Sequence, residues 1–264
     1  MSNYLEDIKE AKSYMVSYIL SFLIIAFTLF AVGISKAEVL GLHFYLPVIS
    51  SKSIAVMFFE MIRTELVPTG VRLIATSPSS AFVSQTIISI IGSFIITFPY
   101  LVYRIFQFLS PALYSKEKRK AFKILLPASI LFLGGVAFSY FFLIPPTFKV
   151  LYSFNTNLDV EPFFAVSEFI SWTLSIMFFT GVMFLLPVFM YILSWLNFIS
   201  SEVWLKHWKI ALAIFLVTSA IITPDGSGVT MMILFFPMMI FYIVGAVFSR
   251  RRNGRLIDNK NSYA

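Results

Sequence analysis

Cysteine is absent from the 264 residues, which excludes disulfides, thiol catalysis and cysteine-based metal sites. Histidine occurs only at His43 and His207, far apart in the chain, and metal sites cluster His with carboxylates, so no metal centre is expected. Charge is scarce as well: Asp, Glu, Lys and Arg make up 12% of the chain, against about 25% in soluble domains. What is abundant is apolar. Hydrophobic residues account for 59% and the mean hydropathy is +0.87. A single soluble core stops growing near this length and could not hide so much apolar surface. The composition specifies an integral membrane protein.

Helices of about 20 apolar residues cross a hydrocarbon core. Six runs qualify as candidates, at about 14–34, 82–109, 121–144, 169–196, 208–222 and 229–248. The second and fourth are long enough to tilt; the fifth and sixth are short, the fifth only 15 residues. A transmembrane barrel would need roughly ten-residue segments alternating apolar and polar residues, whereas runs such as "FSYFFLI" are apolar on every face. The expected fold is all-α, one transmembrane domain over 1–264, with 1–13 and 249–264 as cytoplasmic tails. The first flank carries Glu6, Asp7, Lys9, Glu10 and Lys12, too polar and acidic for a cleavable signal peptide, so it is expected to be retained.

Orientation follows the cations. With the N-terminus inside, fourteen of the twenty Lys and Arg fall in the two tails and in the loops after spans two and four. Lys36, Lys52, Arg63, Arg72 and Lys149 fall outside, and Arg104 lies near the inner end of span two. Both termini are therefore expected in the cytoplasm, with the chain in the cell membrane. The net charge of +7 reads as topology. No basic and aromatic residues interleave as in a nucleic-acid binder, so no nucleic acid is expected. "RRRNGR" suits anionic lipid instead.

No linker separates two domains, and no internal repeat relates the two halves. The first outer loop, 35–81, contains "SIAVMFFEMIRTEL", with Ile54, Met57, Phe58, Met61 and Ile62 spaced as an amphipathic helix. Pro145 and Pro146 are expected to bend or end span three. The span interiors hold almost no charge, and Arg104 and Glu168 sit near ends where a long side chain can reach water. No Asp/Glu/His relay crosses the bilayer and no protease constellation occurs, which argues against an enzyme. No G-x-x-x-x-G-K-[ST] segment occurs either, and no cofactor is expected.

One polar stretch stands out. "FLSPALYSKEKRK" (108–120) sets one acid, Glu117, among Lys116, Lys118, Arg119 and Lys120. It reads either as a solvated bridge, with an effect of about 0–1 kcal/mol, or as a carboxylate that takes both arms of a guanidinium from another molecule.

The stretch resembles the TatC family, the multispanning subunit of the twin-arginine protein translocase. The family form F-x-x-P-x-L-Y-x-x-E-[KR]-[KR] is met by Phe108, Pro111, Leu113, Tyr114, Glu117, Lys118 and Arg119. The similarity runs on through 74–107, 134–154, 181–195 and 222–228. It implies a receptor for twin-arginine signal peptides of folded export substrates, driven by the proton-motive force and working with TatA- and TatB-like single-span partners. Self-association stays open. It also implies that Glu117 receives one arginine, with Phe108 and Pro111 shaping the surface beside it and Arg119 among the cations holding the loop at the membrane. A family segment before span one is matched by "YLEDIKEAK", with Leu5, Asp7 and Lys9 in register, Tyr4 replacing a histidine, and Glu6 as an alternative acid. Asp7 serves as the second carboxylate or merely caps a helix.

Three positions depart from or qualify the family pattern. Leu185 stands where many members carry a glutamate, and Ser80 stands where an outer-loop acid is usual. Asp225 matches a family acid within "TPDGSG", where a turn-forming role competes with a functional one. The alternative to a signal-peptide receptor is a solute transporter or permease subunit, which needs midplane polar groups or broken helices. A scaffold for other membrane proteins is a third reading, and it predicts that Glu117 is dispensable.

Overall fold

The computed structural model describes residues 2–39, 42–49, 52–67, 71–109, 115–157, 163–196, 198–224 and 228–261. Side chains are described within 12–33, 52–67, 71–108, 122–154, 163–196, 198–200, 202–224 and 228–249. The chain is mostly helical. In order it forms α1 (Ser2–Ala31), β1 (Val32–Val39), β2 (Leu42–Ile49), α2 (Ile54–Leu66), β3 (Arg72–Ile74) and α3 (Ser80–Leu109). There follow α4 (Ser115–Phe138), a π-helical turn (Ser139–Leu143), α5 (Ile144–Asn157), β4 (Phe163–Ala165) and α6 (Val166–Phe184). The rest is α7 (Leu186–Trp195), α8 (Ser201–Lys206), α9 (Trp208–Ile222) and α10 (Val229–Asn261).

Among the described residues, five helical stretches are long and apolar enough to cross a membrane: Lys12–Ala31, Ser80–Phe108, Phe122–Phe154, Val166–Trp195 and Val229–Ser249. The run expected at 208–222 forms α9, whose 15 residues reach about 22 Å against a hydrocarbon core of about 30 Å. Several expected boundaries move. The first helix ends at Ala31, and Ile34 lies in β1. Helix continues past 144 through Pro145 and Pro146, because the preceding π turn widens the hydrogen-bond ladder: the Ile144 N–H reaches Ser139 O. Both prolines then fall in the first turn of α5, where a missing N–H costs little. The fourth stretch is instead interrupted at Leu185, with Pro187 opening α7.

Strands also qualify the all-α expectation. β1 and β2 pair antiparallel, with Val32 opposite Ile49 and Val39 opposite Leu42, while β3 and β4 form a short parallel pair.

The chain divides into two compact units. The first comprises Met1–Ser129 and Tyr152–Ser175. In it α1 lies antiparallel to α3, joined by Tyr18 to Thr97 (3.4 Å) near one end and by Gln85 Nε2 donating to Phe30 O (2.8 Å) near the other. Gln85 also donates to Ser53 Oγ (2.8 Å), the residue that caps α2. α2 is amphipathic as expected, but its buried residues are Ala55, Ile62 and Leu66, while Met57 and Met61 are exposed.

The second unit comprises Ile130–Leu151 and Ile176–Ala264. α4 and α6 approach closely at Gly135 and Gly181. A Cβ on Gly135 would meet Gly181 Cα at 2.9 Å, and one on Gly181 would meet Phe132 at 2.9 Å. Membrane helices favour such small-residue contacts because lipid supplies no hydrophobic drive between them. Phe184 packs edge-on against Phe241 of α10 at 4.6 Å between ring centroids. α10 also crosses α7 tightly, since a Cβ on Gly245 would lie 3.0 Å from Pro187 Cα.

Candidate functional site

Arg104 sits in the last turns of α3, one helical turn after Tyr100 and three residues before Gln107. This i, i+3, i+4 spacing puts all three on one face. Its guanidinium Nε donates to Tyr100 OH at 2.7 Å, Nη1 to Gln107 Oε1 at 2.8 Å and Nη2 to Ser17 Oγ of α1 at 2.7 Å. Nη2 also reaches Tyr100 OH. Ser17 Oγ and Tyr100 OH lie 3.1 Å apart, and Gln107 Nε2 donates to Tyr103 OH at 2.9 Å. The cation lies over the Tyr100 ring at 4.8 Å and over the Tyr14 ring at 5.7 Å. A planar fork with five donors suits this arrangement; a lysine would not. Sequence reading gave Arg104 no task beyond reaching water, although the Tyr100/Arg104/Gln107 spacing was there to be read.

This cluster fixes the register of α1 against α3. Ser17 lies level with Tyr100 and Arg104. Asp7, ten residues earlier on the same helix, is about 15 Å further along, at a rise of about 1.5 Å per residue. Leu109, where α3 ends, lies roughly 8–14 Å beyond the same level by that rise. The turn of α1 carrying Leu5, Glu6, Asp7 and Lys9 thus runs to the end of α3. These four belong to α1, with side chains outside the described residues. Since α1 begins at Ser2, Asp7 is not at an N-cap, which removes the capping alternative.

Phe108 is the penultimate residue of α3 and 49% exposed, available as a surface beside whatever lies past the helix end. Pro111 and Leu113 lie outside the described residues. Glu117 and Arg119 fall in the first turns of α4, their side chains outside the described residues. A helix N-terminus is the end that favours negative charge. Asp225 also lies outside the described residues. Beside it Gly228 has φ +71°, the left-handed geometry that suits a turn, and Thr223 Oγ1 donates to Ser219 O at 2.8 Å.

The two replaced acids have settled, apolar or capped surroundings. Leu185 is 7% exposed at the break between α6 and α7. Ser80 is buried at the start of α3, where its hydroxyl donates to Ser77 O at 2.8 Å and accepts from Ser77 N at 2.9 Å. Among the described residues, no group of three or more His, Cys, Asp or Glu could hold a metal ion. Most buried hydroxyls in the helices donate to a carbonyl three or four residues back, as Ser84, Thr97 and Thr173 do. Thr180, fully buried, is an exception with no partner.

Repeated apolar helices of membrane length define a multi-pass membrane protein. Residues 10–237 match the model of one family, TatC, the Sec-independent protein translocase protein, and the chain belongs to that family. It is 34% identical over 225 residues to the Sec-independent protein translocase protein TatC of Cenarchaeum symbiosum, covering 85% of each chain. The Aquifex aeolicus TatC is 32% identical over 187 residues, covering 70% of this chain and 77% of that one. A crystal structure described as the twin arginine translocase receptor TatC superposes with a TM-score of 0.71 at 27% identity, covering 92% of this chain and 98% of that one. A second, of the receptor in DDM, gives a TM-score of 0.73. The chain is thus a component of a protein translocase.

Proposed function

We propose that this chain is the receptor for twin-arginine signal peptides and the core subunit of a translocase that exports folded proteins across the cytoplasmic membrane, driven by the proton-motive force. It is a transport protein and not an enzyme, and it works with single-span TatA- and TatB-like partners and membrane lipid. The observation that carries the reading is the register of α1 on α3. It takes one acid-bearing segment, around Asp7, to the end of α3, and the chain re-enters helix only a few residues later at Ser115, with Glu117 in the first turn. Two carboxylates near one level are what two adjacent arginines require. Leu5, Glu6, Lys9, Pro111, Leu113 and Arg119 would line the approach, and exposed Phe108 would supply an apolar rest for the peptide. Asp225 is an extracytoplasmic functional candidate.

The same reading makes the chain one six-span domain with both termini cytoplasmic, 1–13 and 249–264 being tails, and α9 crossing where the bilayer thins to meet it. A transporter would need polar groups at the helix break, whereas the break at Leu185 is flanked by Phe184 and Leu186.

The test is crosslinking of an Arg-Arg signal peptide, beside a Lys-Lys control, to the purified full chain. A charge-assisted hydrogen bond contributes about 1.5–3 kcal/mol. Glu117→Gln and Glu117→Ala are therefore each expected to weaken binding about tenfold or more and to erase the preference for arginine. Preference retained in both variants would reduce Glu117 to a solvated bridge and sink the receptor site as drawn.

A further inference from the structure

α6, α7, α9 and α10 border a groove of about 370 Å³ whose lining surface is apolar, with Met183, Met190 and Phe215 among its walls. It is open along one side, where Phe189 and Ile214 remain 56% and 55% exposed. The polar atoms at one end are already engaged. Trp204 Nε1 donates to Ser194 Oγ at 3.0 Å, and Tyr242 OH donates to Trp204 O at 2.5 Å. An occupant would find contact area and no hydrogen bond. A groove left empty beside hydrocarbon forfeits dispersion contacts along its walls, so something apolar belongs there.

The volume of the groove lies within the range of about 300–1,000 Å³ found for small-molecule sites. Charge decides the rest. Lys206 and Lys209, both exposed, follow Trp204 and flank exposed Trp208 in the chain. Tryptophans of this kind mark the headgroup level of a bilayer, and basic residues beside membrane helices at that level attract anionic headgroups.

We propose that this groove binds one acyl chain of an anionic phospholipid, whose phosphate rests against Lys206 and Lys209. The site lies apart from the peptide-recognition residues. It depends only on the chain being in a membrane, so it stands or falls separately from the proposed receptor function.

The experiment reconstitutes the full chain in phosphatidylcholine vesicles doped with phosphatidylglycerol or phosphatidylcholine carrying a photoactivatable group on one acyl chain. Adducts are then mapped by mass spectrometry. They are expected to concentrate on Met183, Met190, Ile214 and Phe215 above the level at exposed Phe27 and Phe141, and to be more frequent with phosphatidylglycerol. Lys206→Ala with Lys209→Ala should remove that headgroup preference while groove labelling persists. Ala211→Phe fills the groove from α9, and Ile214→Trp covers its mouth from an exposed position that tolerates size. Either variant that retains the wild-type elution profile should lower groove labelling to that of Phe27. Labelling spread evenly over Phe27, Phe141 and the groove, or unchanged in both filling variants, or indifferent to headgroup, would overturn the proposal. So would a protein adduct replacing the lipid adduct at Ile214 in native membranes.

Discussion

Arg104 donates to Tyr100, Gln107 and Ser17 from a position where the sequence alone suggests a side chain reaching for water. What periodicity could not supply is the partner on α1, since Ser17 lies 87 residues away and nothing local announces it. The bonds predict that Arg104→Lys, which keeps the charge but loses the fork, lowers stability by about 1–3 kcal/mol. That loss is measurable as a drop in the thermal midpoint of the solubilised protein. Combining it with Ser17→Ala should cost less than the two singles together, because both remove one shared interaction; strict additivity would show that the two side chains act independently. Gly135 makes a second case at this scale. Its missing Cβ would strike both Phe184 and the backbone of Gly181. Gly135→Ala should therefore cost about 1–3 kcal/mol as overpacking, in the same thermal assay.

Long apolar runs translate directly into helices, because in lipid every backbone group must be satisfied within its own segment. That is why long apolar runs in the sequence coincide with the five membrane-length helices found among the described residues. Prolines were harder to read. Pro145 and Pro146 look like a stop, yet a π turn absorbs them, whereas Pro187 does interrupt its helix. The difference lies in the ladder of the preceding turn, which composition does not encode. The β1–β2 hairpin was invisible for another reason. Its stability comes from cross-strand pairing, and Pro47 opposite Ile34 argues locally against a strand. At this scale α8 hangs from α10 through one bond, Tyr242 OH to the Trp204 carbonyl. Tyr242→Phe would leave that carbonyl short of a partner, at about 1–3 kcal/mol. Hydrogen exchange should then accelerate in the amides of 201–206 more than in those of α9; uniform protection would mean that the bond does not anchor the helix.

For the whole molecule, cation placement specified a topology that the helices by themselves do not, and the absence of cysteine makes it directly testable. Single cysteines at Thr64 in α2 and at Ser200 before α8 should behave oppositely in cells. A membrane-impermeant maleimide should label Thr64→Cys in intact cells and Ser200→Cys only after permeabilisation. The reverse pattern would invert the chain and move Glu117 to the wrong side for a cytoplasmic peptide. The candidate site was legible as a motif, Phe108 to Arg119, because it is contiguous; that the turn around Asp7 runs to the end of α3 was not, since that depends on how α1 lies along α3. That pairing also sets a timetable. α1 leaves the ribosome first, while the α3 residues that hold it follow roughly 70 positions later. At about 5–20 residues per second, it waits several seconds without its neighbour. It is equipped to wait: Ser21 donates to Ser17 O and Thr28 to Ile24 O, so these hydroxyls are satisfied within α1 itself. The hydroxyl of Ser17, by contrast, meets its partners only when Tyr100 and Arg104 emerge, making it a marker of the moment at which the nascent first helix ceases to be a lone lodger in the bilayer.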